Sequence, residues 1–410
     1  MKCFYPLLLG LVSWVCLPFS IQAQSTNPIS TVKFGKGLSI MAPDSSLYLK
    51  ASFRFQTLFV TAGDIQSHSP WQSSATVRRA RLKFDGWAVS PKLVYKVELA
   101  LSNQDLKSSS DYTQAGGAPK IILDAVVKWR LHKNFELWAG QTKLPGNRER
   151  VVSSQKLQFV DRSMVNSIFN IDRDMGLHLR GKFHSGKALI RPIFAVAMGE
   201  GRNMTVNNIG GLNYTGRLEY LPLGEFTGKG DYFDADLKRE PTPKLMLGVS
   251  YNINKGASRQ KQSGIFLMDA EGNYLDNDLQ TVFVDGVFKY QGFSLSAEYA
   301  DKKCVLPDGM GQEEAKDKMI DANGKSYHTG KGFNIQAGYL FKKNWEVAAR
   351  YTTVSPDWEM SFTGTEEYSL GLSKYIVGHN LKVQSDVSLI DKENKDINGL
   401  RYRLQFEVAF

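Results

Sequence analysis

The stretch FELWAGQTKLPGNRERVVSSQKLQFVDRSMVNSIFNIDRDMGL, from Phe135 to Leu177, begins and ends with the residue pattern of a β-strand. Apolar and polar residues alternate over 135–140 and again over 174–178, which is the period of two expected for strands. Between them, a turn-forming run at Pro145-Gly146-Asn147 opens a long basic loop. Loops of this length without regular structure are uncommon in compact folds and tend to be functional. The sequence therefore predicts two strands that hold a functional loop over about 143–172.

The loop carries more bases than acids. Its bases are Lys143, Arg148, Arg150, Lys156 and Arg162, and its acids are Glu149, Asp161 and Asp172. A cluster of this sign in a narrow passage attracts anions, and the planar fork of arginine suits phosphate in particular. Salt bridges within the loop are the alternative, because each acid lies near a base in the sequence. Anion binding by the loop and simple loop packing both remain open at this point.

Residues 1–23 have the features of a secretion signal. Lys2 provides the positive start, an apolar run covers 7–19, and Ala23 ends an acceptable cleavage site. A membrane-spanning helix is less favoured, because the apolar run is interrupted and is shorter than roughly 20 residues. Cys304 is then the single remaining cysteine, which makes no internal disulfide. We expect a periplasmic segment over 24–46 and a transmembrane domain over 47–410.

Strand alternation continues along the whole of 47–410 and yields about sixteen strands. Short and long connections alternate between them, as in an outer-membrane β-barrel, where an even strand number is usual. Aromatic residues near the short connections would form an interfacial girdle: Trp129, Phe135, Tyr290, Phe293, Phe341, Trp345 and Phe410. The segment 223–243 breaks this rule, because a short turn is expected there. The predicted fold is an all-β, antiparallel transmembrane barrel.

The other face of most predicted strands carries charges of both signs. Such pairs are tolerated around a wet lumen but not in the dry core of a soluble β-sandwich, which is the competing fold class. The basic residues predicted to form a track along the lumen are Arg54, Arg79, Arg81, Lys83, Arg180 and Lys182. A ladder of ion pairs with wall acids such as Asp85 and Glu98 explains the same pattern equally well.

Several of these runs resemble the phosphate-selective porin O and P family. They include RRARLKFDGWAVSPKL (78–93), ELWAGQTKLPGNRERVVSSQKLQFVDRSMVN (136–166) and GHNLKVQSDVSL (378–389). The resemblance covers nearly all of 47–410. It implies a sixteen-stranded, trimeric outer-membrane barrel whose third long loop folds inward as a constriction. It also implies phosphate or polyphosphate as candidate solutes, although this chain mixes acids with bases along its inward face.

We therefore predict a passive, anion-preferring pore, without a catalytic site, cofactor or metal ion. Its expected partners are small anions, outer-membrane lipid, lipopolysaccharide and the barrel-assembly machinery, which would recognise the terminal Phe410; nucleic acid is excluded by the compartment. A general diffusion porin, an adhesive barrel or a lumen-facing enzyme are the alternatives. The enzyme would use His178 with a serine, whereas a solvated histidine is the commoner case. The acidic run Asp269, Glu271, Asp276 and Asp278 lacks the full spacing of a calcium loop.

Overall fold

The alternating segments form strands in a computed structural model, which describes residues 33–65, 70–106, 121–204, 211–262, 264–305, 314, 318–358, 361–393 and 399–410. All strands belong to the unit Phe34–Phe410. The expected signal peptide at 1–23 lies outside the described residues, as does 24–32 of the expected periplasmic segment. No helix within the described ranges is long and apolar enough to cross a membrane.

Eighteen strand segments follow the order of the sequence. They are β1 (Leu38–Met41), β2 (Leu47–Asp64), β3 (Gln72–Ala88), β4 (Leu93–Ala100), β5 (Ile122–His132), β6 (Phe135–Lys143), β7 (Arg173–Gly181), β8 (Phe183–Ser185), β9 (Ala188–Ala197), β10 (Asn213–Leu221), β11 (Lys244–Ala257), β12 (Asn277–Tyr290), β13 (Phe293–Val305), β14 (Gly330–Leu340), β15 (Trp345–Pro356), β16 (Thr365–Tyr375), β17 (Leu381–Lys392) and β18 (Gly399–Ala409). Short helices occur at α1 (Asn103–Leu106), α2 (Arg148–Val151) and α3 (Met164–Phe169), with a 3-10 helix at Gly230–Tyr232.

The strands close into a barrel of sixteen. Successive strands pair antiparallel, and β18 returns to β2, where Ala409 lies opposite Arg54 and Gly399 lies opposite Asp64. β7 and β8 form a single barrel strand interrupted at Lys182, because both pair with β9. β1 is additional to the sixteen and pairs only with the first part of β2. The predicted all-β, sixteen-stranded antiparallel barrel is confirmed.

Side chains alternate between two environments along each strand. On β15, for example, Val347 is 48% exposed whereas Thr352 is fully buried. The apolar residues face outward and the polar ones inward, which is the reverse of a soluble protein and suits a barrel in lipid. All seven aromatic residues expected in the interfacial girdle are exposed on the outer surface. The polar inward face is buried because other parts of the chain pack against it.

One strand departs from strict alternation. Gln56 of β2 lies opposite Arg79, whereas the next residue, Thr57, lies opposite Val77, so Arg78 is the extra residue of a β-bulge. Strict alternation would place Arg78 on the lipid-facing side. The bulge instead lets Arg78 and Arg79 both reach Asp161. β3, which carries the bulge, begins at Gln72.

Candidate functional site

Residues 144–172, here called the loop segment, contact the inward face of widely separated strands. Asn147 Nδ2 donates to the Glu298 carboxylate of β13 at 3.0 Å. The Arg54 guanidinium of β2 donates to Ser154 Oγ at 2.8 Å. The main-chain nitrogen of Val160 donates to the Asp386 carboxylate of β17 at 3.0 Å. Hydrogen bonds therefore hold the loop segment against several sides of the ring of strands.

An apolar contact fixes the second half of the loop segment. Ser163 caps α3, since its Oγ accepts a hydrogen bond from the main-chain nitrogen of Asn166 at 3.3 Å. Phe169, at the end of α3, is fully buried in a cluster with Phe283 of β12. Gly332 of β14 makes this approach possible, because a Cβ there would lie only 2.8 Å from the Phe169 ring. The helix is thus seated on the wall by packing as well as by hydrogen bonds.

Residues 223–243, here called the turn segment, meet the loop segment. The main-chain nitrogen of Gln158 donates to Asp234 Oδ2 at 3.2 Å, and the main-chain nitrogen of Asp234 donates to the Lys156 carbonyl at 3.0 Å. The Arg148 guanidinium also lies 3.5 Å from the Asp231 carboxylate. The turn segment, which is too long for a simple turn, therefore has a structural role. Its hydrogen bonds and ion pair with the loop segment, here called the clasp, hold the two segments together.

The buried Lys289 of β12 anchors the turn segment. Its Nζ donates to three main-chain carbonyls at 2.8–2.9 Å, those of Gly230, Phe233 and Ala235. A lysine with three carbonyl acceptors is satisfied without a carboxylate partner. The turn segment is consequently tied to both the wall and the loop segment.

Two of the five predicted loop bases are paired with acids. Arg148 donates to Glu219 of β10 at 3.2 Å and is 4% exposed. The Nε of Arg150, in α2, donates to the carboxylate of Asp172 at 2.7 Å. This bond joins the first part of the loop segment to its last residue. Burial alone would raise the pKa of Asp172, but Arg150 and Arg173 hold it below its ordinary value. These two bases fix the loop segment, as the packing alternative predicted.

Two more of the predicted bases bind main-chain carbonyls. Lys143 Nζ donates to the carbonyls of Val151 and Val152 at 3.3 and 3.2 Å, at the end of α2. Arg162 donates to the carbonyl of Glu149 at 2.7 Å and to that of Val152 at 2.6 Å. Burial, followed by repulsion from Arg150, lowers the pKa of Arg162 to about 9. Both side chains thus satisfy carbonyls that the short helix leaves unpaired.

Lys156 differs from the other four. In the part of the chain that the structure describes, its Nζ has neither a carboxylate nor a carbonyl as a hydrogen-bond partner, and it lies 3.7 Å from the centroid of the Phe233 ring. It borders three cavities of about 740, 310 and 470 Å³. Burial lowers its pKa to about 8, with a further contribution from Lys83. Lys156 is therefore the predicted loop base that borders these cavities without a hydrogen-bond partner for its charge among the described residues.

The six bases predicted for the lumen track are mostly ion-paired. The pairs are Arg54 with Glu407 at 3.4 Å, Arg79 with Asp161 at 2.9 Å, Arg81 with Asp105 at 2.8 Å, Lys83 with Asp85 at 2.7 Å and Lys182 with Glu225 at 2.7 Å. Arg180 is different, since its guanidinium lies 4.3 Å from the centroid of the Trp138 ring. Five of the six bases are thus arranged as the ion-pair ladder predicts, and not as a track of unpaired bases.

Arg78 belongs to the same network but was missed by the sequence interpretation. It donates to Asp161 at 3.1 Å beside Arg79. Burial would raise the pKa of Asp161, but Arg79 and Arg78 lower it. An arginine at a lipid-facing position is costly, so its presence there is the signal that could have revealed the bulge.

The cavity of about 740 Å³ has a strongly basic lining. Thirteen basic and six acidic side chains border it, contributed by strands β3 to β10, the loop segment and the turn segment. Its lining includes Lys143, the last residue of β6, and Lys133 in the short turn between β5 and β6. A cavity with low-dielectric walls and an excess of one charge concentrates ions of the opposite sign.

The chemical alternatives find little geometric support. His178 is fully buried and stacks on Trp138 with ring centroids 6.1 Å apart, and neither of its nitrogens has a hydrogen-bond partner among the described residues. No serine in the described part of the chain is therefore positioned to act with it. Of the acidic run, Asp269 accepts hydrogen bonds from Asn273, and Asp278 pairs with Lys255. The described residues contain no group of three or more side chains arranged to hold a metal ion.

Comparison with known proteins gives one family and a set of similar folds. The model of the family described as "Phosphate-selective porin O and P" matches residues 50–408. An uncharacterized protein of Aquifex aeolicus is 23% identical over 384 residues, which is 85% of this chain and 84% of that protein.

Three solved structures illustrate the fold. The anion-selective porin of Comamonas acidovorans has a TM-score of 0.54 at 10% identity, over 88% of this chain and 99% of the other. The outer membrane channel DcaP of Acinetobacter baumannii has a TM-score of 0.54 at 12% identity, over 90% and 99%. The trimer form of OmpT of Vibrio cholerae has a TM-score of 0.52 at 9% identity, over 88% and 99%. At these identities the likeness shows the fold alone.

Proposed function

The chain belongs to the phosphate-selective porin O and P family, and on that premise we propose that it is a passive pore that prefers small anions. By family and fold it is a porin of the outer membrane of a Gram-negative bacterium, and channel-type rather than enzymatic. The observation that carries the anion preference is Lys156, a loop base whose Nζ has neither a carboxylate nor a carbonyl as a hydrogen-bond partner among the described residues, at the border of three cavities.

The constriction in this proposal consists of two segments. The loop segment contacts the inward face of β2, β13 and β17, and the turn segment clasps it through Asp234. Solute then passes beside this clasp through the basic cavity of about 740 Å³. Bulk salt screens charges weakly in such a narrow space, so an unpaired cation there affects permeation more than a paired one.

Phosphate and polyphosphate are the candidate solutes of this pore. Most of the wall arginines already bind carboxylates, so their planar forks are engaged. The remaining cation at the clasp is a lysine, which attracts anions as a point charge without the two-pronged geometry of arginine. We therefore expect the pore to prefer anions over cations. We expect it to prefer phosphate over chloride only because phosphate carries more charge.

Replacement of Lys156 tests the proposal. Lys156→Gln keeps bulk and hydrogen bonding and removes the charge, and in a bilayer with a KCl gradient it should shift the reversal potential toward cations. It should also weaken the block of chloride current by added phosphate. Arg150→Gln removes the same charge from a residue that is paired with Asp172, and it is the matched control.

The two variants separate the possible roles. A larger shift for Lys156→Gln than for Arg150→Gln supports the proposal. Equal shifts would mean that total charge, and not position, sets the preference. If the wild-type protein gives no stable open steps in single-channel recordings, the passive pore is wrong and an adhesive or enzymatic barrel takes its place.

We also propose a homotrimer in contact with outer-membrane lipid and lipopolysaccharide, inserted by the barrel-assembly machinery. The resemblance in sequence supports it, and the trimer form of OmpT shows that a barrel of this fold assembles in that way. Cross-linking of the purified protein in detergent, followed by mass measurement, should give a species of three chains. A single chain at every detergent concentration would contradict it.

A further inference from the structure

An aromatic ring of the turn segment contacts the ammonium group of Lys156. The Nζ of Lys156 lies 3.7 Å from the centroid of the Phe233 ring, within the range of a cation–π contact. The main chain keeps the two side chains together, because the nitrogen of Asp234, the residue after Phe233, donates to the Lys156 carbonyl at 3.0 Å. The contact thus forms where the clasp joins the loop segment to the turn segment.

The position of Phe233 is fixed by other parts of the barrel. Its carbonyl accepts a hydrogen bond from Lys289 Nζ of β12 at 2.8 Å, and its nitrogen donates to the Gly230 carbonyl at 3.1 Å. Its ring centroid lies 5.3 Å from that of the buried His379, in the turn after β16. The ring is therefore held by contacts that do not involve Lys156.

The charged and titratable groups around Lys156 provide no direct partner for it in the described ranges. They are Lys36 before β1, Lys83 of β3, Lys96 of β4, Lys229 and Asp231 in the turn segment, and His379. The four lysines among them disfavour a further positive charge. The acid, Asp231, already pairs with Arg148 and Arg191. The Phe233 ring is thus the direct attractive contact of this ammonium among the described residues.

We infer that Phe233 is a positioning residue for the anion preference, whose ring holds the Lys156 ammonium beside the cavities that both side chains border and stabilises its charged form. The inference rests on the proposed function and gives the turn segment a part in selectivity. An aromatic ring suits this role because it attracts a cation through its quadrupole but carries no net charge. A carboxylate at the same place would hold the lysine but cancel the field that reaches a passing anion.

The pH dependence of the reversal potential in a KCl gradient measures this contact. A ring that stabilises the charged lysine raises its pKa, so removal of the ring should let the charge disappear at lower pH. Phe233→Leu keeps an apolar side chain without the quadrupole. We expect the midpoint of the pH-dependent loss of anion preference to fall by about 0.5–1 pH unit in this variant. An unchanged midpoint would overturn the inference.

Two further replacements separate the quadrupole of the ring from its bulk. Phe233→Tyr keeps an aromatic ring and should keep the wild-type midpoint. Trifluorophenylalanine at position 233 has nearly the shape of phenylalanine but a weaker quadrupole, so it should lower the midpoint even if Phe233→Leu does not fold. A wild-type midpoint with trifluorophenylalanine would mean that bulk alone matters, and it would refute the role of the quadrupole.

Tyr232 provides a matched control in the same segment. Its ring centroid lies 4.2 Å from the guanidinium carbon of Arg148, and arginine does not titrate in this pH range. Tyr232→Leu should therefore leave the midpoint unchanged. A fall as large as that of Phe233→Leu would assign the effect to a general disturbance of the turn segment and contradict the role of Phe233.

Combination with Lys156→Gln shows whether Phe233 acts through Lys156. Without the ammonium group, Phe233→Leu should cause no further change of the reversal potential at any pH. A further change as large as that in the wild-type background would mean that the ring acts on another group.

These outcomes are distinct from failure of the proposed function. A pore that prefers cations at neutral pH refutes the proposed function itself. An anion-preferring pore whose midpoint does not respond to the ring refutes the role of Phe233 alone.

Discussion

The main-chain nitrogen of Gln158 donates a hydrogen bond to Asp234 at 3.2 Å, and so joins the loop segment to the turn segment. The two segments come from different hairpins of the barrel, one after β6 and the other after β10. The reverse bond, from the Asp234 nitrogen to the Lys156 carbonyl, makes the contact reciprocal. The position of Lys156 therefore depends on Asp234.

Replacement of Asp234 should loosen this clasp. Asp234→Ala leaves the Gln158 nitrogen without its acceptor, which costs about 1–3 kcal/mol for a buried donor. We expect increased open-channel noise and faster proteolysis within 144–172, while the barrel stays folded. Asp234→Asn keeps an acceptor oxygen and is the control, and a noise increase of the same size in both variants would contradict the role of the hydrogen bond.

Anion preference should depend on pH through Lys156. Its pKa is lowered to about 8, by burial first and by Lys83 and Lys229 next. Because a lysine is charged below its pKa, the charge is present at neutral pH and is lost as the pH rises through the lowered pKa, mainly between about pH 7 and pH 9. Reversal potentials over this range should drift toward cations.

Lys156→Arg provides the control for this pH dependence. The pKa of arginine lies well above that of lysine, so an arginine at this half-buried position stays protonated over this range and the drift should disappear in this variant. A drift of the wild-type size in Lys156→Arg would assign the titration to another group.

The two faces of the barrel wall should respond differently to the same charge. Val347→Arg places a guanidinium on the outer surface, where an arginine near the bilayer midplane costs about 2–4 kcal/mol. Ser52 borders the cavity of about 310 Å³, so Ser52→Arg should cost little. Urea titrations of the protein refolded in lipid vesicles measure both values, and equal losses would be inconsistent with the assigned faces.

Loss of the last residue should impair closure of the barrel. Phe410 exchanges two main-chain hydrogen bonds with Phe53, at 2.8 and 2.9 Å, and their rings lie 5.7 Å apart. Deletion of Phe410 removes these contacts together with the terminal aromatic group. The folded, heat-modifiable fraction on a gel should fall, whereas Phe410→Tyr should keep it. An unchanged fraction after deletion would exclude a role in assembly.

Strand positions were predictable from the sequence because lipid outside and water inside impose opposite preferences on neighbouring residues. This contrast held for β15, where Val347 is exposed and Thr352 is buried. It failed at Arg78, because a bulge changes the face of a residue without changing the composition around it. The clasp at 223–243 was visible only as a departure from the expected connection length.

The roles of the loop bases were harder to predict. Arg148 and Lys156 are both basic residues of one loop, yet one is paired with Glu219 and the other borders the cavities. Their partners come from strands that are distant in sequence, so local composition contains no information about the difference. The same applies to Arg180, which lies over the ring of Trp138 only because β7 pairs with β6 in the sheet.

The short strand β1 has a consequence for assembly of several chains. The last main-chain bonds between β18 and β2 are those at Phe53, and Tyr48–Ala51 then pair with β1 on that side. β1 thus covers an edge that would otherwise offer free amides and carbonyls to a strand from another molecule. Within the described ranges no second strand pairs with β1, and the edge that remains there is four residues long. Neighbouring barrels must therefore associate through side chains on their outer surfaces and not by extending the sheet.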